Sequence, residues 1–238
     1  MTPLTEIGKV KSIFRYPIKS LAAERLETAS LTLHGLDGDR RFAFRRVSDR
    51  GDFPWLSAGR ARRMILFTSV VSDSGPTHVR SPEGKVFDIA DPELANEIAG
   101  QTSMELELMN IKHGVFDEAS VSIVSVATIT KIGSEVGREL DVRRFRPNLV
   151  LETTENRAFE EDSWVGKTIS FGDGDKSASV AVTLRDLRCA MLNIDPDTAE
   201  SDPEISRAVA RLNDYFAGAY ATVLRAGIIE TGQTVYVS

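Results

Sequence analysis

Short stretches in which apolar and polar residues alternate dominate the first third of the chain. Residues 7–18 carry this pattern, which is typical of a β-strand with one buried face. Pro17 should end the pairing of this strand, because proline has no amide hydrogen to donate to a neighbouring strand. Further strands are predicted at residues 27–33, 42–47, 64–71, 78–80, 85–88, 106–108, 121–124, 149–151, 168–171, 179–184, 221–225 and 235–237.

Three segments have helical patterns instead. They are predicted over residues 91–99, 126–137 and 204–216. About a dozen strands and three helices, without regular alternation between them, predict a mainly β fold built from β-barrels with a few packed helices. The composition changes near residues 100–115, so two domains are predicted, over residues 1–105 and 106–238.

Composition and charge make some classes of function unfavourable for this chain. The 238 residues carry a net charge of −6, which makes a nucleic-acid partner unfavourable because such binding usually needs a basic surface. The sequence has no stretch near the ~18 consecutive apolar residues of a membrane helix. The N-terminal residues lack the apolar run and cleavage site of a secretory signal. The sequence therefore predicts a cytoplasmic protein with no nucleic-acid partner and no membrane.

The chain has a single cysteine, Cys189. One cysteine excludes an intramolecular disulfide, a zinc finger and an iron–sulfur cluster, so redox chemistry would need electrons from another protein. Arg185 and Arg188 precede it, and cationic neighbours favour the thiolate, the form that binds metals. The alternative is that Cys189 is a small buried hydrophobic residue, a common fate of free cysteine.

Several short motifs accompany this cysteine. They are Tyr16-Pro17-Ile18-Lys19-Ser20, Gly35-Leu36-Asp37-Gly38-Asp39-Arg40, Ser57-Ala58-Gly59-Arg60, Arg144-Phe145-Arg146-Pro147-Asn148, Phe159-Glu160-Glu161-Asp162-Ser163-Trp164, and Arg188-Cys189 followed by Asp195-Pro196-Asp197-Thr198. In content and order they resemble the MOSC-domain family, named after the C-terminal region of molybdenum cofactor sulfurases. Within it, the chain is similar to the group of the mitochondrial amidoxime-reducing component.

This resemblance implies an N-terminal β-barrel domain followed by a MOSC barrel with helices. It also implies a molybdenum–pterin cofactor (molybdopterin), a small-molecule substrate, and an external electron-transfer protein that is a reductase or ferredoxin-like. Cys189 matches the family's cysteine ligand to molybdenum and would be the catalytic residue. The implied reaction is the reduction of N-hydroxylated or N-oxide substrates.

The resemblance also implies a set of cofactor-binding residues, several of them arginines, whose planar guanidinium suits a phosphate group. The set is Lys19, Ser20, Arg40, Ser125, Thr128, Arg144, Arg146, Asn148 and Arg188. Ordinary roles stay open for some members: a solvated lysine at Lys19, an ion pair with Asp39 for Arg40, and helix capping for Ser125 and Thr128. The arginines of residues 143–146 could also form a solvated surface turn.

The chain departs from the family pattern at two places, and two other functions stay open. Leu192-Asn193 stand where relatives often have two threonines, which bears on substrate range. Ala199 replaces a glycine, which bears on the geometry of the turn. A sulfur carrier would hold a persulfide on Cys189, without a pterin or a pyridoxal cofactor. A non-catalytic domain would only bind a pterin or another anion.

Overall fold

The structure, a computed structural model, describes residues 4–72, 75–100 and 102–238. The α-helices are α1 (Pro92–Ala99), α2 (Val126–Glu135) and α3 (Pro203–Asn213). The strands are β1 (Thr5–Arg15), β2 (Glu24–Leu26), β3 (Thr28–Thr32), β4 (Gly35–Leu36), β5 (Phe42–Arg46), β6 (Thr68–Ser72), β7 (Gly75–Arg80), β8 (Val86–Asp88), β9 (Leu106–Asn110), β10 (Val121–Ser125), β11 (Leu149–Thr153), β12 (Thr168–Phe171), β13 (Ala178–Leu187), β14 (Phe216–Arg225), β15 (Gly227–Glu230) and β16 (Thr234–Val237). Short 3₁₀ helices span Arg62–Leu66, Val142–Phe145, Glu160–Trp164 and Ala190–Asn193.

Seven strands form a closed barrel in the order β1-β11-β10-β14-β13-β12-β16, with β16 pairing back onto β1. Closure leaves these strands without free edges. Large apolar side chains fill the interior, among them Val10, Ile123, Leu151, Trp164 and Phe171. Burial of this apolar surface is the main force that stabilises such a barrel. The prediction of a mainly β fold with a few helices is confirmed.

Strand β1 holds the barrel together from the N-terminal side. It lies between β16 and β11, so that Thr5 faces Val237 and Val10 faces Leu151. Gly8 lies at an irregularity in this pairing and has a φ of 146°. A side chain at this position would collide with the carbonyl oxygen of Glu152, so the close approach of β1 and β11 requires glycine.

Most of the rest of the N-terminal half forms smaller sheets, one of which also contains β15. Their orders are β15-β3-β4, β5-β9 and β6-β7-β8. A second core lies among the β5-β9 and β6-β7-β8 sheets and α1, with Phe44, Phe67, Phe87 and Leu94 fully or almost fully buried. Ile194, from the segment after Cys189, packs into the same core. The cysteine segment is thereby attached to both halves of the chain.

Each α-helix begins at a side-chain cap, which satisfies a backbone N–H group of its first turn. The caps are Asp91 for α1, Ser125 for α2 and Asp202 for α3. Helices α2 and α3 cover the outside of the barrel, and Ile132 and Val209 lie in the core between them and the strands.

Several predicted elements differ from the structure at their ends, and in two the cause is local. The strand predicted over residues 64–71 is wrong at its start, because Arg62–Leu66 is a 3₁₀ helix whose turns bury Met64 and Ile65. The helix predicted to end at residue 216 ends at Asn213 instead. Asp214 and Tyr215 have left-handed φ values of 51° and 68°, which turn the chain directly into β14.

Candidate active site

A cavity of about 720 Å³ lies beside the segment that carries Cys189. Its volume falls within the ~300–1,000 Å³ of typical small-molecule sites. Its walls come from the N-terminal half, from residues 117–122, from the 3₁₀ helix Val142–Phe145 and from residues 183–192. The residues of the sequence-predicted set that line it are Lys19, Ser20, Arg40, Arg144, Arg146, Arg188 and Cys189.

Cys189 follows the end of β13 and precedes the 3₁₀ helix Ala190–Asn193. Its side chain is exposed, and it lines the cavity. The alternative that Cys189 is a buried hydrophobic residue is therefore wrong. A thiol that reaches solvent can react or bind a metal, whereas a buried one is usually inert.

Arg40 and Arg146 stack on Tyr16, the first residue of the Tyr16–Ser20 motif. The guanidinium carbons lie 4.7 Å and 4.2 Å from the centre of the Tyr16 ring. Arg146 Nη1 donates to the carbonyl oxygen of Leu21 at 3.0 Å, whereas its buried Nη2 has no hydrogen-bond partner among the described residues. Two cations held this close, with a donor left over, form a site suited to an anion.

A buried network around Asp39 fixes Arg40. Asp39 accepts hydrogen bonds from the Tyr16 backbone at 2.7 Å, from Arg40 Nη1 at 2.5 Å and from Asn148 Nδ2 at 3.1 Å. The ion pair considered for Arg40 is thus present, and Arg40 lines the cavity as well. Asn148 also accepts from the Ser122 backbone at 3.1 Å and lies behind the cavity wall.

Lys19 also lines the cavity. Its Nζ is 2.7 Å from Asp117 Oδ1 and 5.2 Å from the centre of the Phe53 ring. The Lys19 side chain is only 6% exposed, so it is not a solvated lysine. Burial lowers the pKa of Lys19, and Asp117 opposes that shift. The neighbouring Ser20 is buried and lines the same wall in a left-handed conformation, with a φ of 71°.

Arg144 connects the 3₁₀ helix Val142–Phe145 to the cysteine segment. Its guanidinium donates to the carbonyl oxygen of Asn193 at 3.0 Å and to Asp195 Oδ2 at 2.5 Å. Arg144 is buried and lines the cavity. Arg143 points elsewhere and pairs with Asp197. Of the three arginines in residues 143–146, Arg144 and Arg146 therefore line the cavity and Arg143 does not.

Arg188 is held by three groups. Its Nε and Nη1 donate to the carbonyl oxygens of Ala217 and Phe145, each at 2.6 Å. Its Nη2 lies 2.9 Å from Asp186 Oδ2. Nη2 has no hydrogen-bond partner among the described residues, so Arg188 supplies positive charge next to Cys189 and keeps one buried donor free.

Ser125 and Thr128 lie outside the cavity lining, at the start of α2. Ser125 Oγ accepts from the Thr128 backbone at 3.1 Å, and Thr128 Oγ1 donates to Glu161 Oε2 at 2.8 Å. The Ser125 backbone donates to Glu161 Oε1 at 2.5 Å. This is the geometry of a helix cap, the other role considered for these two residues.

Sequence reasoning missed several polar residues in the cavity wall, among them Asp117, Ser122, Asp186 and Tyr220. Asp186 is 1% exposed, and burial raises its pKa as it does that of Tyr220. The available signal was an acidic residue inside a strand, three positions before the cysteine. In the described part of the chain, no group of three or more His, Cys, Asp or Glu side chains is placed to hold a metal ion.

Family models match both halves of the chain. The model described as MOSC domain matches residues 110–236, and the one described as MOSC N-terminal beta barrel domain matches residues 7–120. The chain belongs to the MOSC family. Membership supports a function connected in general with the molybdenum cofactor. The MOSC protein thus has the two-part architecture that the motifs predicted.

Curated relatives and solved structures resemble this MOSC protein at low identity. The human mitochondrial amidoxime reducing component 2 is 23% identical, over 98% of this chain and 84% of its own. The same component from Rattus norvegicus is 26% identical over the same shares. A crystal structure of the YUAD protein from Bacillus subtilis matches with a TM-score of 0.54 and 14% identity, covering 99% of this chain and 98% of its own. This last likeness concerns the fold alone.

The relatives are named mitochondrial, and a cytoplasmic location stays a prediction for this MOSC protein. Within the residues that the structure describes, no helix combines the length and apolar character needed to cross a membrane.

The Tyr16 hydroxyl predicts a stability loss at high pH. It is buried without a hydrogen-bond partner among the described residues, and burial raises its pKa from 10.0 to about 12. Above pH 10 the unfolded chain loses this proton first, so the stability that Tyr16 contributes falls as the pH rises towards 12, by roughly 2–3 kcal/mol. Tyr16→Phe should lack this loss.

Urea unfolding of the wild type and of Tyr16→Phe, near pH 7 and between pH 10 and 12, measures the effect. Near pH 7 the two proteins should differ by less than about 1 kcal/mol, because the variant removes an unpaired hydroxyl. Parallel loss of stability in both proteins would contradict the assignment to Tyr16.

Proposed function

We propose that this MOSC protein is a molybdenum–pterin oxidoreductase that reduces N-hydroxylated or N-oxide substrates, with Cys189 as the metal ligand. The observation that carries the proposal is that the exposed thiol shares one cavity with six buried or half-buried cations. A thiolate is a soft ligand suited to redox-active metals, and arginine suits phosphate. The names of the relatives, amidoxime reducing components, support the reaction class.

The residues present fit such a cofactor. The unpartnered Nη2 of Arg146 is a buried donor that a phosphate oxygen would satisfy. Lys19, Ser20, Arg40 and Arg146 would hold the phosphate end, and Cys189 would bind the metal. When bound, the cofactor supplies the two-electron redox chemistry, and the protein supplies ligation, orientation and charge.

The cavity also has an apolar side for the organic part of a substrate. Leu187 and Phe53 are 61% and 45% exposed, and both line the cavity with Val165 and Phe216. Covering them would remove apolar surface from water and favour binding. Because the chain has one cysteine and no iron–sulfur ligands, a reductase or a ferredoxin-like protein would deliver the electrons.

Cofactor content tests the proposal. Wild type purified from a host that makes the molybdenum cofactor, with added molybdate, should hold close to one molybdenum and one pterin per chain. Arg146→Ala should bind the pterin ~10–100-fold more weakly, the usual cost of losing hydrogen bonds to a charged group. Arg157→Ala, which removes an exposed arginine outside the cavity lining, is the matched control and should keep its cofactor.

Thermal unfolding of both variants shows whether a lost cofactor reflects a lost fold. A wild type that holds neither molybdenum nor pterin under these conditions would refute the proposal. Equal loss of pterin in Arg157→Ala would show that the cations lining the cavity do not bind the pterin.

A sulfur carrier is the second candidate, and the exposure of Cys189 favours it too. It would hold a persulfide on Cys189 and pass the sulfur to an acceptor. Mass spectrometry after incubation with a sulfur donor would show one added sulfur on Cys189 and no bound pterin. A non-catalytic binding domain is less favoured, since it would suit an unreactive buried cysteine.

A further inference from the structure

Three neighbouring strands place polar side chains together on the cavity wall. Ser122 lies on β10, Tyr220 on β14 and Asp186 on β13, and β14 pairs with both other strands. Ser122 faces Tyr220 across the β10–β14 pair. Ser122 Oγ donates to Asp186 Oδ2 at 3.0 Å. The residues proposed to hold the cofactor phosphate do not include these three groups, so they are available for another task at the same cavity.

Asp186 is the acidic centre of this group. It is 1% exposed, and Arg188 Nη2 lies 2.9 Å away, while Arg40, Asp117 and Tyr220 are the other charged or titratable groups that interact with it. Burial raises the pKa of Asp186, although Arg188 opposes the shift. Arg188 also donates to two backbone carbonyl oxygens, so its charge is shared between them and the ion pair with Asp186. The carboxyl group is therefore suited to hold a proton and to release it.

We propose that Asp186 donates a proton to the leaving oxygen of the substrate, an inference that rests on the proposed function. Reduction of an N-hydroxylated compound balances as R₂C=N–OH + 2 e⁻ + 2 H⁺ → R₂C=NH + H₂O. The N–O bond breaks, and the electrons come from the reduced electron-transfer protein. The oxygen leaves as water with the proton of Asp186, and solvent at the cavity opening supplies the proton that ends on nitrogen.

The surrounding groups suit this role. Hydroxide is a poor leaving group, so a proton delivered to the oxygen lowers the barrier, and a positioned acid contributes typically ~10²–10⁴-fold. After the proton leaves, the hydrogen bond from Ser122 and the charge of Arg188 stabilise the carboxylate. Tyr220 is a weaker donor because burial raises its pKa above the ordinary value for tyrosine. Lys19 is engaged in an ion pair with Asp117.

Asp186→Asn tests the role in the cofactor-loaded protein, because it keeps the shape and the hydrogen bond from Ser122 but cannot donate this proton. The expected result is a kcat at least ~100-fold lower, with KM, molybdenum and pterin content unchanged. The solvent deuterium effect on kcat and its pH profile should change, and Asp186→Glu should restore part of the rate. Glu152→Gln, on the outer face of β11, is the control and should match the wild type.

A second readout needs no cofactor. Infrared titration of the cofactor-free chain should show the C=O band of a protonated carboxyl that persists to higher pH than that of an exposed aspartate, and that band should be missing in Asp186→Asn. An active wild type beside an Asp186→Asn variant with the same kcat and pH profile would overturn the role of Asp186 alone. A wild type without cofactor or turnover would overturn the proposed function, and this role with it.

Discussion

Cys189→Ser is expected to abolish the reduction of N-hydroxylated substrates while leaving the fold intact. A serine hydroxyl keeps nearly the size of the thiol, but it does not ionise near neutral pH and is a poor ligand for a soft metal. The thiol is exposed and makes no capping hydrogen bond to the 3₁₀ helix that follows it. Its replacement therefore removes the proposed metal ligand and little else.

Turnover of an N-hydroxylated amidine with a supplied electron donor measures this effect, beside metal content and thermal unfolding. The Tm should stay within ~2–4 °C of the wild type, the shift that about 1 kcal/mol causes in a protein of this size. A variant that keeps stoichiometric molybdenum and a substantial share of its turnover would rule out Cys189 as an essential ligand. A large drop in Tm would show instead that Cys189 has a structural role.

Asp39→Ala is expected to have the largest effect on stability, a loss of ~3–5 kcal/mol. The Asp39 side chain is 0% exposed and accepts from the Tyr16 backbone, from Arg40 and from Asn148. Its removal leaves the charge of Arg40, a backbone N–H group and an amide without their acceptor. Urea unfolding near pH 7 gives the free energy of unfolding directly.

The double variant Asp39→Ala/Arg40→Ala separates charge from packing. Removing both partners should recover part of the loss, because an unpaired buried charge costs more than the absence of the pair. If Asp39→Ala alone lowers the free energy of unfolding by less than about 1 kcal/mol, Asp39 does not compensate the charge of Arg40 as proposed. No recovery in the double variant would assign the loss to the Tyr16 and Asn148 contacts.

The strand content of the fold was predictable, but the strand pairing was not. Alternation along residues 7–18 identifies β1, because each alternate side chain must face the barrel interior. Its barrel partners lie more than 130 residues away, at residues 149–153 and 234–237, and no local pattern encodes that pairing. At Met64 the apolar pattern suggested a strand, although a 3₁₀ turn buries the same residues. The division at residues 105 and 106 stays a prediction.

At the site, too, residues that belong to motifs were predictable from the sequence, whereas isolated residues were not. The structure brings Lys19, Arg40 and Arg146 to one cavity with Cys189, and their cofactor roles stay predictions. Asn148, like Ser125 and Thr128, lies outside the wall, because polar motif residues also satisfy buried backbone groups. Asp186 belongs to no motif, and its place beside the cavity depends on three strands that meet only after folding.

The position of β1 between β11 and β16 also fixes the order in which this protein completes its fold. Translation reaches Thr234 about 220 residues after it passes Arg15, which takes roughly 10–45 s at ~5–20 residues per second. For about the first 134 residues of that interval β1 has neither of its barrel neighbours, because β11 begins only at residue 149, and β16 is missing until the end. The barrel therefore closes only when β16 has left the ribosome, and until then a nascent chain presents an open sheet edge that chaperones can bind.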